Sequence, residues 1–422
     1  MGRTGAERRP DLIRPSSGSQ RDFARRTFGG VLVGALLLYL ALGHSQWFYL
    51  DEWDFLADRE ITDIEDLFRP HNEHWSTLPI IAYRALYRVF GLRTYVPYQL
   101  FAIGAHLVAA VLLRAVMRRS GVRPWLATGA ASLFALLGAA HENIVWAFQV
   151  GFVASLALGL AQLLLAGHDG PTDRRDILAL VAGGASLMCS GVGVAMVGTA
   201  ATATFLRRGW RPAALQAVPL GALFATWWVA AGRDSYDAAE GDLGAMSRFV
   251  GTGLVYVFEE LGQSIPVALA LALVLAGGLP LALLSAPHDE RWRAASAPLG
   301  MLAGALFFLV SSSLGRAGAF GPDFVRTGRY LHIAGALCLP ALTFAAEAIV
   351  RRRPAAFGVV LVVFVAGIPG NVAALEQRGE GTGRYQLGRP DLMLLLPRVD
   401  VATKVPRSTR PDVVLAREVT MG

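Results

Sequence analysis

Long apolar runs alternate with short polar connections along almost the whole chain, and that pattern predicts helices that cross a membrane. A run of about 20 apolar residues spans the hydrocarbon core of a bilayer. Such runs lie near residues 27–46, 95–117, 124–141, 145–166, 177–189, 191–206, 212–232, 264–286, 295–313, 330–350 and 355–370. The expected fold class is therefore all-α: a polytopic integral membrane protein with about 11 transmembrane helices. Residues 177–206 form one continuous apolar stretch, too long for a single ordinary span, with SGVGVAM at its centre. Two short helices turning at residues 190–193 fit it; one long tilted helix is the alternative and would reverse the side of everything that follows.

One connection breaks the pattern. The first loop, residues 47–94, is long, and residues 49–79 of it (YLDEWDFLADREITDIEDLFRPHNEHWSTLP) hold nine of the 32 carboxylates. Further along, Ile61, Ile64, Leu67 and Phe68 fall on one helical face, and Ile80, Ile81, Tyr83, Leu86, Tyr87 and Phe90 form a second. Apolar stripes mixed with charge suit helices lying in the membrane interface better than helices crossing it. So many titratable groups beside a membrane helix are costly unless they do chemistry.

Composition agrees with the membrane reading: 54% of residues are hydrophobic. The net charge of +7 comes from arginine, with Lys404 the only lysine. In such a chain the excess sets topology, and no nucleic-acid partner is implied. With the N-terminus inside, 21 arginines fall on the cytoplasmic side and the acidic loop faces outward. The expected organisation is a disordered cytoplasmic leader (1–26), a transmembrane domain (27–370) whose loop 47–94 is extracytoplasmic, and an extracytoplasmic tail (371–422). The first apolar run lacks a small-residue cleavage site and reads as an uncleaved helix, which places the chain in the cell membrane as a multi-pass protein. Cys189 and Cys338 sit inside apolar runs and read as buried thiols, with no disulfide framework.

Four motifs stand out: the pair Asp51 and Glu52 just after the first helix, HNEHW at 71–75, HENIVWAFQ at 141–149 and RTGRYLH at 326–332. In this order and company they resemble the GT-C superfamily of membrane glycosyltransferases, in particular its protein-mannosyltransferase and aminoarabinose-transferase-like group. The likeness covers roughly residues 28–370. It implies an outward-facing cavity, a polyprenyl-phosphate sugar as donor, a glycan, lipid or protein as acceptor, and inversion at the anomeric carbon. It also implies that Asp51 is the catalytic base, with Glu52 beside it.

The chemistry needs a base for the acceptor proton and cations for the leaving phosphate. Arginine's planar fork suits phosphate, which makes Arg316, Arg326, Arg329 and His332 the expected donor-phosphate group. Arg329 and His332, three residues apart, share a helical face. His71, Glu73, His74, Glu142 and Gln149 are the expected sugar or acceptor ligands. Asp54 and Asp58 read as solvated charges. The HxxH spacing of His71 and His74, with Glu73 between, also admits a divalent cation, though not the HExxH arrangement of a zinc protease; no cofactor is otherwise implied. The rival reading is a transporter or flippase for a polyprenyl-linked sugar, since charge at membrane depth also marks transport paths.

Overall fold

The computed structural model describes residues 18–235, 242–285, 288–386 and most of 393–420. Helix α1 (Gly18–Leu42) leads to the first loop, which holds α2 (Glu52–Ala57), α3 (Ile64–Phe68) and α4 (Thr77–Phe90). The bundle continues with α5 (Val96–Arg119), α6 (Pro124–Ala135), the short α7 (His141–Val145), α8 (Val150–Ala166), α9 (Arg174–Leu187), α10 (Val192–Arg208) and α11 (Trp210–Trp227). It closes with α12 (Leu243–Gly262), α13 (Ile265–Leu284), α14 (His288–Phe320), α15 (Gly328–Arg352), α16 (Phe357–Ala366) and α17 (Ile368–Gln386). Among the described residues eight helices are long and apolar enough to cross a membrane, and α6, α9 and α10 are shorter helices packed among them. The result is an all-α polytopic membrane fold.

Helix α15 forms the centre. Apolar residues run all the way round it and almost all are buried, as expected for a helix with no solvent or lipid face. The outer helices instead expose apolar side chains, among them Val33, Leu37, Val108, Leu273 and Val359. An exposed apolar belt of this kind is what a bilayer covers.

The stretch 177–206 is two helices. Ser155 of α8 donates to the Ser186 carbonyl at 2.8 Å, and Gly151 lies against the Cys189 carbonyl, so α9 runs antiparallel to α8. Met196 of α10 packs on Gly159, and Arg208 donates to the Ala166 carbonyl at 3.1 Å, so α10 runs parallel to α8. The two therefore form a hairpin. A Cβ on Gly193 would stand 2.5 Å from the Ser186 carbonyl oxygen, so only glycine lets the two arms meet at the tip. At the base, Arg208 pairs with Asp176 at 2.5 Å, and both side chains are shut off from solvent. Because the hairpin turns back, the first loop and the start of α15 lie at the same end of the bundle. We call it the loop end, and the opposite one the arginine end.

Three expectations need correction. Helix α1 starts at Gly18, so residues 18–26 are helical rather than disordered; residues 1–17 lie outside the described residues. Helix α12 occupies what the apolar pattern leaves as a connection. Its buried residues Phe249, Gly253, Val257 and Leu261 recur every four positions, while Leu243 and Val255 are exposed. It joins α11 to α13 at the loop end, where Phe249 packs on Tyr330, so it is an amphipathic helix and not a crossing one. Finally, the boundary at 370 falls inside a helix: α17 runs on to Gln386, and its Asn371 accepts from the Gly138 amide at 2.7 Å. Beyond it, Ala416 and Val419 pack into the aromatic cluster of Trp47, Phe48 and Trp53, placing the tail at the loop end.

Removing one partner of a buried ion pair strands the other charge. Arg208→Met should therefore cost about 3 kcal/mol in stability, measured by denaturant unfolding in detergent micelles. Stability equal to wild type would show that the hairpin does not depend on this pair.

Candidate active site

The site begins with three carboxylates around the start of α2, one turned into the protein and two turned toward His71. Adjacent positions on a helix do not share a face, so Glu52 turns away from Asp51, while Asp51 and Asp54, three apart, both approach His71. Glu52 turns into the protein and is fully buried. It accepts from the hydroxyls of Tyr95 at 2.6 Å and Tyr83 at 2.8 Å, and from the Tyr49 amide at 3.1 Å. Burial raises its pKa to about 8 against the opposing effect of these donors, so it is mostly protonated at neutral pH. Tyr95 in turn accepts from the Ala147 amide at 2.9 Å. Glu52 is thus an anchor joining α2 to α4, α5 and the turn before α8. The expectation that it works beside Asp51 is corrected: it does not line the cavity.

Asp54, expected to be solvated, is the second anchor. It accepts from both forks of Arg59, at 3.0 and 3.3 Å, and its Oδ2 lies 2.6 Å from His71 Nδ1. Arg59 also holds the carbonyls of Asp66, Arg69 and Pro70, which fixes the chain entering the HNEHW turn. That turn is closed by reciprocal 3.0 Å hydrogen bonds between the backbones of His71 and His74, with Asn72 in the left-handed region at φ 49. Asparagine tolerates that conformation better than most residues. The other nitrogen of His71 faces Asp51, with Nε2 3.7 Å from Oδ2. This is too long for a hydrogen bond but well within reach of the charge. Burial pulls the His71 pKa down, and Asp51 and Asp54 together outweigh it and hold it above the usual imidazole value. For Asp54 burial acts upward, and His71 and Arg59 outweigh it and hold the carboxyl low. His74, by contrast, is held down to about 4 by burial, against the charge of Glu73, and packs on Phe152.

These parts frame a cavity of about 290 Å³. The first loop contributes Asp51, His71, Glu73 and His74; the turn before α8 contributes Gln149; the hairpin tip contributes residues 189–192; and α14 and α15 contribute Arg316, Arg329 and Tyr330. Arg316 pairs with Glu73 and donates to the Tyr330 hydroxyl at 3.2 Å. Arg329 pairs with Glu142 at 2.9 Å. Three buried polar atoms of cavity residues make no hydrogen bond within the protein: His71 Nε2, Gln149 Oε1 and Arg329 Nε. Buried polar atoms are seldom left so, and these three belong to residues that line one cavity.

Two further expected residues are elsewhere. Arg326 lies over the Tyr256 ring, 3.9 Å from its centroid, and 3.7 Å from Asp323; it does not line the cavity. His332 is fully buried, stacks on Phe134 and meets Asn143 at 3.0 Å. It shares a helix with Arg329 but faces the bundle centre, because the helix to which it belongs is buried all round. Sequence reasoning missed Arg59 and Tyr330 and misread Asp54. The spacing of Asp51 and Asp54, three residues apart, was the available signal that two acids could flank one histidine.

The divalent cation does not fit the HNEHW turn. His71 is engaged by Asp54 and Asp51, Glu73 by Arg316, and His74 by an aromatic ring. Among the described residues, histidine and carboxylate donors converge only at His168, Asp173 and Asp176. That group lies at the arginine end, where Arg208 and Arg175 already hold the carboxylates.

No protein-family model matches the chain, and no curated protein matches it. Among solved structures the chain is similar to ArnT from Cupriavidus metallidurans, crystallised with undecaprenyl phosphate. The match has 16% identity, 93% of this chain and 82% of that one covered, and a TM-score of 0.47. A likeness of that size assigns nothing to individual residues.

A histidine with a raised folded-state pKa adds stability that is whole below its unfolded value of about 6.5 and is lost as pH rises through the folded value. In a ¹⁵N NMR titration, the His71 resonance, assigned by its loss in His71→Gln, should have its midpoint above 6.5. Asp54→Asn should move that midpoint down. An unshifted midpoint in Asp54→Asn would mean that this carboxylate does not hold the imidazole.

Proposed function

We propose that this cavity transfers a sugar from a polyprenyl-phosphate donor to a glycan, lipid or protein acceptor on the extracytoplasmic face. The observation that carries the reading is that one cavity, at the loop end of a membrane bundle, joins Asp51 on one wall to two arginines on another. Lipid-phosphate glycosyl transfer asks for that pairing of a base and a phosphate-binding pair.

In this reading the acceptor hydroxyl gives its proton to Asp51 as its oxygen bonds to the anomeric carbon. The bond from that carbon to the donor phosphate oxygen breaks, and its electron pair leaves on the phosphate. Arg316 and Arg329 stabilise the charge that develops there, as preorganised cations do at a leaving group. Base and phosphate sites on different walls suit attack opposite the leaving group, hence inversion. His71, held by Asp54 and facing one Asp51 oxygen, orients the carboxylate so that the other oxygen meets the acceptor. The orphaned Gln149 oxygen and the carboxylates Glu73 and Glu142 supply acceptors for sugar hydroxyls. The distribution of arginine supports a loop end that faces outside.

General-base catalysis contributes about 10²–10⁴-fold. Asp51→Asn, reconstituted in vesicles with radiolabelled donor lipids from the host membrane, should lose transfer by that factor while keeping its wild-type elution profile. Retained activity would remove Asp51 from the chemistry. Sugar-lipid that crosses the vesicle membrane with no new glycosidic bond formed would instead identify a flippase.

A further inference from the structure

We propose that Glu73 and Glu142 are internal competitors for the donor phosphate: each caps one cavity arginine at rest, yields it to phosphate, and takes it back as the product leaves. This rests on the reading above, in which phosphate occupies Arg316 and Arg329.

The cavity's two arginines are both already in ion pairs, Arg316 with Glu73 and Arg329 with Glu142, and the two carboxylates come from different segments. All four side chains are about a quarter exposed, so the pairs are open to exchange with an incoming anion. The two arginines differ in what else they meet. Arg316 holds the Tyr330 hydroxyl through Nε. The Arg329 backbone carbonyl is held by Asn143 at 3.2 Å, and its Nε is a buried donor without a partner. When its carboxylate leaves, Arg316 therefore keeps the Tyr330 contact, and Arg329 offers a buried Nε that a phosphate oxygen can meet.

Release is also local. His71 is tied to Asp54 and His74 packs on Phe152, so the ends of the turn are fixed and Glu73 needs only a rotation of its own side chain. Such rotamer changes are fast.

The chemistry gives this exchange a use. The donor is a phosphodiester with one negative charge, whereas the product is a monoester that approaches two at neutral pH. Two bare arginines in a partly desolvated cavity would hold the product more tightly than the donor. Product release limits turnover in many enzymes. Carboxylates that return to the arginines offset part of that grip.

The test measures binding alone, on the full chain purified in detergent, with farnesyl phosphate as the probe in isothermal titration. Glu73→Gln and Glu142→Gln should each tighten binding by about two- to fivefold, the range for ion pairs of this exposure. Arg316→Gln should weaken it, and adding Glu73→Gln to Arg316→Gln should then change nothing, since the competitor has lost its target. Glu142→Gln should behave likewise in Arg329→Gln. Unchanged or weaker binding in the single glutamine variants would overturn the proposal. So would an equal tightening in the arginine-substituted backgrounds, which would mark a general effect of removing negative charge. No binding by the wild type or by any variant would instead sink the phosphate reading itself.

Discussion

The site depends on how two buried carboxylates are satisfied. A carboxylate moved out of water must either be neutralised or be met by charge and hydrogen bonds. Glu52 takes the first course, raised by burial and ringed by Tyr83, Tyr95 and the Tyr49 amide. Asp54 takes the second, gripped by Arg59 and His71. Together they pin a six-residue helix, too short to hold its own shape in water, against the bundle. Asp51 precedes that helix, so its direction into the cavity follows from anchors on its two neighbours. The HNEHW turn is carried along by the same contacts.

The second requirement is that the arginines arrive at the same end. That is settled by the hairpin of α9 and α10, whose return keeps α14 and α15 in register with the first loop. The hairpin also gives its tip to the cavity wall. A buried ion pair at the arginine end and a close glycine contact at the loop end thus serve one geometry, although they stand at opposite ends of the same two helices.

Much of the fold was legible because membrane helices announce themselves by length and apolarity. Each expected run has its helix, and the Gly-rich centre of 177–206 is where the chain turns. Helix α12 was not legible, since Arg248, Glu259, Glu260 and four glycines interrupt its apolar positions. The site was legible to a lesser degree. Asp51, His71, Glu73, His74, Gln149, Arg316 and Arg329 all reach one cavity, and Glu142 joins through Arg329. Glu52, Arg326 and His332 do not. Their sequence positions were as suitable, but the direction of a side chain is decided by packing: the tyrosines that receive Glu52 are 31 and 43 residues away. Asp54 failed the opposite way, for a charge in an acidic run looks solvated until its arginine and histidine are seen.

In the proposed reading a base and a phosphate site share one cavity at the loop end, and a cryo-electron microscopy structure with a bound polyprenyl phosphate tests this most directly. The phosphate should lie within hydrogen-bonding distance of the Arg316 and Arg329 guanidinium groups, with Asp51 facing it across the same cavity. A phosphate bound at the arginine end, or one at the loop end that touches neither arginine, would contradict the account.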